Sequence, residues 1–289
     1  MPLPEAARRH YRQRQVLARK VQEQAAAVWR DVHPGDLARS WTRLLPEVVS
    51  IVTPGQVAAA STADAYVESL AKSTAAGEIQ ASAFAGLASD GRPLATLLYQ
   101  PVFMTLRQIA AGRSLADSLE AGRSHLGLIA GTQVQDAGRA ADGVGIAVRD
   151  NVGYVRMLST PSCARCAILA GRFYRWNSGF ARHPRCDCQH IPSRENVAGD
   201  LTTDTRSYFR SLSGAEQERI FTTDGARAIR DGADINQVVN ARRGMTPAGT
   251  TFEGSGRKHV RLMPERIYAE AGGDRERAIE LLKEHGFVA

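Results

Sequence analysis

The chain has 289 residues, 43% of them hydrophobic and 23% charged, which fits a folded protein and excludes a disordered, highly charged one. Its formal charge is +7, and only Lys20, Lys72, Lys258 and Lys283 among its 37 basic residues are lysine, so the excess is arginine, whose planar fork pairs with phosphate or carboxylate. No apolar run approaches the roughly 20 residues that cross a bilayer, and arginines interrupt the first twenty positions, so neither a membrane span nor a secretory signal is expected and the protein is expected to stay in a cytoplasm.

From residue 4 to about 32, Leu17, Val21, Ala25, Val28 and Val32 recur at helical spacing, and His33-Pro34-Gly35 breaks the run. Arg8, Arg9, Arg12, Arg14, Arg19 and Lys20 crowd this stretch. A solvated helix face is the first reading of them, and contact with nucleic acid or an acidic partner the second. A second helix is expected over 36–52, kinked at Pro46. Thr53-Pro54-Gly55-Gln56 then reads as a fresh start, with an N-cap threonine, a proline in the first turn and a glutamine placed for a capping box. Residues 86–93 are turn-rich, and 94–110 and 114–141 are again helical. The apolar stripes of these helices are thin and alanine-rich, which predicts pairing with another helix or a partner more than a large core.

Near Val152 the character changes. Residues 154–158 and 172–176 are rich in β-branched and aromatic types and predict two short strands, and 189–192 an edge strand stopped by Pro192. Helical patterning then resumes: Ser213 and Glu216 form a capping box, Asp234 opens a helix, and 264–286 is helical with Asp274 as an N-cap. Residues 246–256, rich in Gly, Thr and Ser, predict a linker. The expected fold is therefore α+β and mainly helical, in three parts: a helical region over 1–145, a small zinc-stabilised β-hairpin module over 146–200, and a helical C-terminal region over 201–289.

The chemistry concentrates in that module. All four cysteines fall between Cys163 and Cys188, too close together to staple distant parts of a fold by disulfides. Cys163-Ala-Arg-Cys166 is a C-x2-C pair, and His183-Pro-Arg-Cys186-Asp-Cys188 follows after sixteen intervening residues. Two such groups joined by a hairpin-length loop supply the four soft or borderline ligands of a tetrahedral zinc. Five candidates compete for four places. Either all four cysteines bind with His183 beside them, or Cys163, Cys166 and His183 bind with one of Cys186 and Cys188; His190 is a weaker sixth. The set looks closed, with Asp187 the only acid inside it, so a structural ion is expected rather than a catalytic one with an open water position.

Residues 224–242 have the outline of a helix-turn-helix across Asp231-Gly232, an outline shared by many hairpins that bind nothing. No phosphate-binding loop, nucleophile elbow or H-E-x-x-H helix is present. The competing enzymatic class is a zinc-stabilised nuclease of the His-Asn-His type, which needs His183 or His190 free of metal. A DNA-binding protein is the other alternative.

The strings C-A-R-C-A-I-L-A-G-R-F-Y and R-H-P-R-C-D-C-Q-H-I-P resemble the signature of the MuF-like minor head proteins of tailed bacteriophages, through Cys163, Cys166, Gly171, Phe173, Tyr174, His183, Pro184, Cys186, Cys188 and Pro192. The motif spans about 30 residues. The tail from Ser211 also resembles family members from phages of GC-rich actinobacterial hosts, in keeping with the arginine bias. The resemblance implies a non-enzymatic virion protein of the inner capsid, made in the host cytoplasm, with the portal protein and the major capsid protein as partners and packaged double-stranded DNA as a further one. It implies a role in head assembly and DNA packaging or delivery. With no recognisable protease region and no length for an appended toxin, the bare structural form is expected.

Overall fold

The structure, a computed structural model, describes residues 4–157, 162–177, 189–194, 204–246, 248–251 and 260–288. Helix α1, Glu5–Val28, buries Val21, Ala25 and Val28 at the expected spacing. It closes in a 3-10 turn, Trp29–Asp31, just before the breaker. Helix α2, Leu37–Ala60, starts at Asp36, whose carboxylate accepts from Arg39 N. It corrects one expectation, because the fresh start at Thr53 does not occur and both Pro46 and Pro54 lie inside one helix. Each proline removes a main-chain donor, but burial along this side of the helix outweighs that loss. Val48, Val52 and Ala59 are buried, and a Cβ on Gly55 would come within 2.7 Å of Val21 and 3.0 Å of Val134, so glycine is what lets the helices close. Gln56 is drawn into tertiary work as well: its amide donates to Leu87 O at 2.8 Å and its Oε1 accepts from Gly86 N at 2.9 Å, pinning the 86–93 turn.

Helix α3, Ala63–Ala71, ends at Lys72 in the left-handed region. Helices α4, Leu94–Leu98, and α5, Gln100–Ala110, lead to the long α6, Leu115–Ala147, capped by Ser114. α1, α2, α3 and α5 all pack on α6. The core between them holds Trp29 and Trp41, edge-on at 4.8 Å, with Leu94, Leu98, Leu126 and Val134. The indole N–H groups donate to Leu119 O at 2.9 Å and Leu98 O at 3.1 Å, so both tryptophans are buried with their donors satisfied. This core corrects the thin-stripe reading: the tryptophans supply the volume that alanine does not. The solvated-face reading of the basic run holds for Arg8, Arg9, Arg12, Arg19 and Lys20, which are exposed, and fails at one position. Arg14 is only 3% exposed, and its fork meets Asp142 of α6 at 2.5 and 2.9 Å.

Strand β1, Val152–Met157, is central in an antiparallel sheet of order β2-β1-β3, with β2 at Phe173–Arg175 and β3 at Gln189–Arg194. Helix α7, Ala164–Leu169, lies between β1 and β2 in sequence. β3 does not stop at Pro192, which sits opposite Tyr154 within the strand, because an edge strand needs donors on one side only. Helices α8, Thr205–Ser211, α9, Gly214–Phe221, α10, Thr223–Arg230, and α11, Ile235–Ala241, follow, with the Ser213–Glu216 capping box formed as expected. Strands β4, Thr250–Thr251, and β5, Arg261–Leu262, pair, so the stretch expected as linker contributes a strand. Helices α12, Pro264–Ala271, and α13, Arg275–Glu284, complete a second core around Phe209, Phe221, Ile229, Val238, Ile267 and Leu282. The architecture is thus mainly helical with a small antiparallel sheet.

The sheet and α7 attach to different bodies. Val152, Tyr154 and Ile191 share a cluster with Tyr66, Val67 and Ile146 of the helical bundle. Cys166, Ala167 and Ile168 belong to the C-terminal core. Among the described residues, those between the bodies that enter a core cluster join one of these two and form no third.

Candidate metal centre

Cys163 is the N-cap of α7, its Sγ accepting from Cys166 N at 3.4 Å. One turn of helix brings the two Sγ atoms to 3.2 Å. Two sulfurs on one tetrahedral zinc, each at about 2.3 Å, stand roughly 3.8 Å apart, whereas a disulfide closes to about 2.05 Å. At 3.2 Å the pair stands closer to the separation of two ligands on one ion than to that of a disulfide. Cys163 is exposed and Cys166 buried; neither is in a disulfide. His183, Cys186 and Cys188 lie outside the described residues. Among the described residues no group of three or more His, Cys, Asp or Glu side chains converges.

Three further residues, which spacing rules did not single out, set the position of the thiols. Arg156 of β1 is buried and donates from its guanidinium to Cys166 Sγ at 3.4 Å. A buried cation beside sulfur favours the thiolate, the form that binds metal. Tyr208 of α8 brackets the residue before Cys163: Ser162 N donates to the Tyr208 hydroxyl at 3.1 Å, and the hydroxyl lies 3.2 Å from Ser162 O. Burial, and after it the nearby Cys163 and Cys166, push the Tyr208 phenol above its ordinary range. Thr205 donates to Ala167 O at 3.3 Å. Arg156 left one trace in the sequence, an arginine on a strand otherwise apolar from Val152 to Val155; Tyr208, more than forty residues away, left none.

On the other side, the Arg156 main chain extends the ladder, its carbonyl accepting from Gly171 N at 3.2 Å. His190, the weaker sixth candidate, sits opposite Arg156 in register and stacks near Tyr154, with ring centroids 4.1 Å apart. Its carbonyl accepts from the Tyr66 hydroxyl at 2.7 Å, and Arg194 donates to Ala71 O and Lys72 O, so β3 is docked on α3.

The helix pair considered for DNA reading is α10 and α11. Ile235, Val238, Val239 and Ala241 of α11 are buried. Gln237 accepts from Arg261 at 3.2 Å, and Arg242 is turned inward onto Glu265 and Thr222. A recognition helix presents such residues to a groove; here they hold the C-terminal core together. No helix among the described residues is long and apolar enough to cross a membrane. No protein-family model, curated protein or solved structure matches the chain.

Proposed function

We propose that one structural zinc clasps the Cys163–Cys188 segment, and that the chain is a minor head protein of a tailed phage. The observation that carries the clasp is a convergence: β3 begins at Gln189 opposite Met157, at the end of β1 from which the chain runs to the paired thiols of Cys163 and Cys166. The H-x2-C-x-C group immediately precedes Gln189 in sequence. Cys163 and Cys166 would hold the ion together with Cys186 and Cys188, or with His183 and one of them. Bound there, zinc supplies a cross-link and a positive charge, and its binding energy becomes folding energy for a segment whose described residues form no separate core. Arg156 and Tyr208 act beforehand, orienting the thiols so that less is lost on binding.

The virion reading rests on the motif resemblance, on a mainly helical build and on the excess of arginine. In it the helical bundle meets the portal and the major capsid protein, and exposed arginines lie near packaged DNA, with no catalytic step. Two measurements test the two halves separately. Metal per chain, determined on protein purified without chelator, should be near one; folded, reduced protein with none would remove the clasp. Mass spectrometry of purified particles should find the chain, and reconstruction should place it at the portal vertex inside the shell. Its absence from particles removes the virion reading and leaves the clasp standing. Divalent-metal nuclease activity that His183→Ala abolishes with zinc retained would replace the structural reading by an enzymatic one.

A further inference from the structure

We propose that the outward side of α5 is a docking surface for an acidic amphipathic helix of a partner protein. α5 already buries Pro101, Val102 and Thr105 in the bundle. It also leaves Phe103, Leu106 and Ile109 exposed, at 51, 44 and 37%. Spaced by three, they form a ridge along two helical turns, with the Phe103 ring set against Tyr99 at 5.4 Å. Leu115, at the start of α6, is 46% exposed. One such side chain in water is ordinary, but four large ones within thirteen residues mark a surface that is covered in use.

Charge selects the occupant. Residues 100–114 contain no aspartate or glutamate, and Arg107 and Arg113 are exposed beside the ridge. A second copy of this chain would bring the same ridge and the same arginines, and its carboxylates just beyond Leu115 are engaged already, Asp117 by the Ser114 hydroxyl at 2.7 Å and Glu120 by Arg123 at 2.7 Å. Nucleic acid would occupy the arginines and leave Phe103, Leu106 and Ile109 in water. A helix with one apolar side and flanking carboxylates meets both demands: its leucines cover the ridge, and its acids pair with Arg107 and Arg113 at the rim, where charge contributes more to orientation and encounter than to affinity.

The test uses the full chain and two synthetic helical peptides with the same leucine face, one flanked by glutamates and one by lysines. Fluorescence anisotropy at physiological salt should show saturable binding of the glutamate peptide and none of the lysine peptide. Phe103→Ser with Leu106→Ser, and separately Arg107→Glu, should each weaken binding by about tenfold or more. Circular dichroism should stay unchanged, since these side chains are exposed. Equal binding of both peptides, affinity unmoved by the variants, or displacement of the glutamate peptide by a short DNA duplex overturns the proposal. So does a dimer in sedimentation that Leu106→Ser dissociates, which assigns the ridge to a second copy.

Discussion

The helical bundle and the cysteine segment both bury polar chemistry, and they support it in opposite ways. In the bundle, Arg14 binds Asp142 bidentately, also donates to Ala59 O at 3.0 Å, and lies beside His10, whose Nε2 is 3.5 Å from Asp142 and whose ring stacks on Tyr66 at 3.7 Å. Arg14, Ala59 and Asp142 come from α1, α2 and α6, which share a large apolar core, while Tyr66 stands in the smaller cluster that α3 and α6 share with the sheet. The guanidinium has space because α6 carries Gly138 there: a Cβ would fall 2.6 Å from Arg14 Cζ. In the cysteine segment, Arg156 and Cys166 depend on a sheet docked to one body and a helix docked to the other. The bundle should therefore stand without the segment, while the segment depends on its neighbours and, under the proposed clasp, on an ion.

The harshest way to break that comparison is Asp142→Ala, which strands a buried guanidinium. A loss of about 3–5 kcal/mol is expected in urea unfolding, and a loss below about 1 kcal/mol would mean that water or a rearranged Tyr66 takes over the charge. The same cluster gives a pH signature. Burial holds the His10 imidazole below its ordinary 6.5. Below that pH the unfolded chain takes up a proton that the folded chain refuses, so stability falls as pH drops from 6.5 toward the folded value. Burial would raise the Asp142 carboxyl, but the charge of Arg14, the neighbouring His10 imidazole and the Arg14 hydrogen bonds hold it below 3.8. Its contribution is thus present above pH 3.8 and disappears only as pH falls toward the lower folded value. His10→Gln should flatten the curve below 6.5 and leave the acid limb in place.

The proposed clasp sharpens the contrast from the other side. Chelation, or Cys166→Ser, should abolish zinc content and release amide protection in β1, α7 and β3, while amides of α1, α2 and α6 exchange as before. Simultaneous loss of protection in the bundle would mean that the two regions unfold as one unit.

The same contrast explains what could be read from the sequence. Local signals were legible wherever the local chain decides the outcome, as in the stripe of α1, the Ser213–Glu216 box, the Asp234 and Asp274 caps and the two strands flanking the cysteine pair. They failed where a distant partner decides. Thr53-Pro54 is a good helix start in isolation, yet Val48, Val52 and Ala59 bury the helix through it. Arg14 looks like its exposed neighbours until Asp142 arrives from 128 positions away. In the candidate metal centre the C-x2-C spacing was readable, because one helical turn fixes it. Arg156 and Tyr208 were not, because only the folded chain brings them to the sulfurs.

The smallest expected effect tests the join between the two regions. The Tyr66 hydroxyl donates to His190 O at 2.7 Å, the hydrogen bond through which α3 reaches the start of β3. Tyr66→Phe keeps the ring and its stack on His10 and removes that bond alone, at a cost of about 0.5–1.5 kcal/mol. If the segment relies on the bundle as argued, the loss should appear in β3, as faster amide exchange there and weaker zinc retention in a competition with chelator. The unfolding midpoint of the bundle should hardly move. A shift in that midpoint with β3 exchange unaltered would place Tyr66 in the Arg14–Asp142 cluster rather than at the join, and docking of β3 would then rest on Arg194 and the main-chain carbonyls of Ala71 and Lys72.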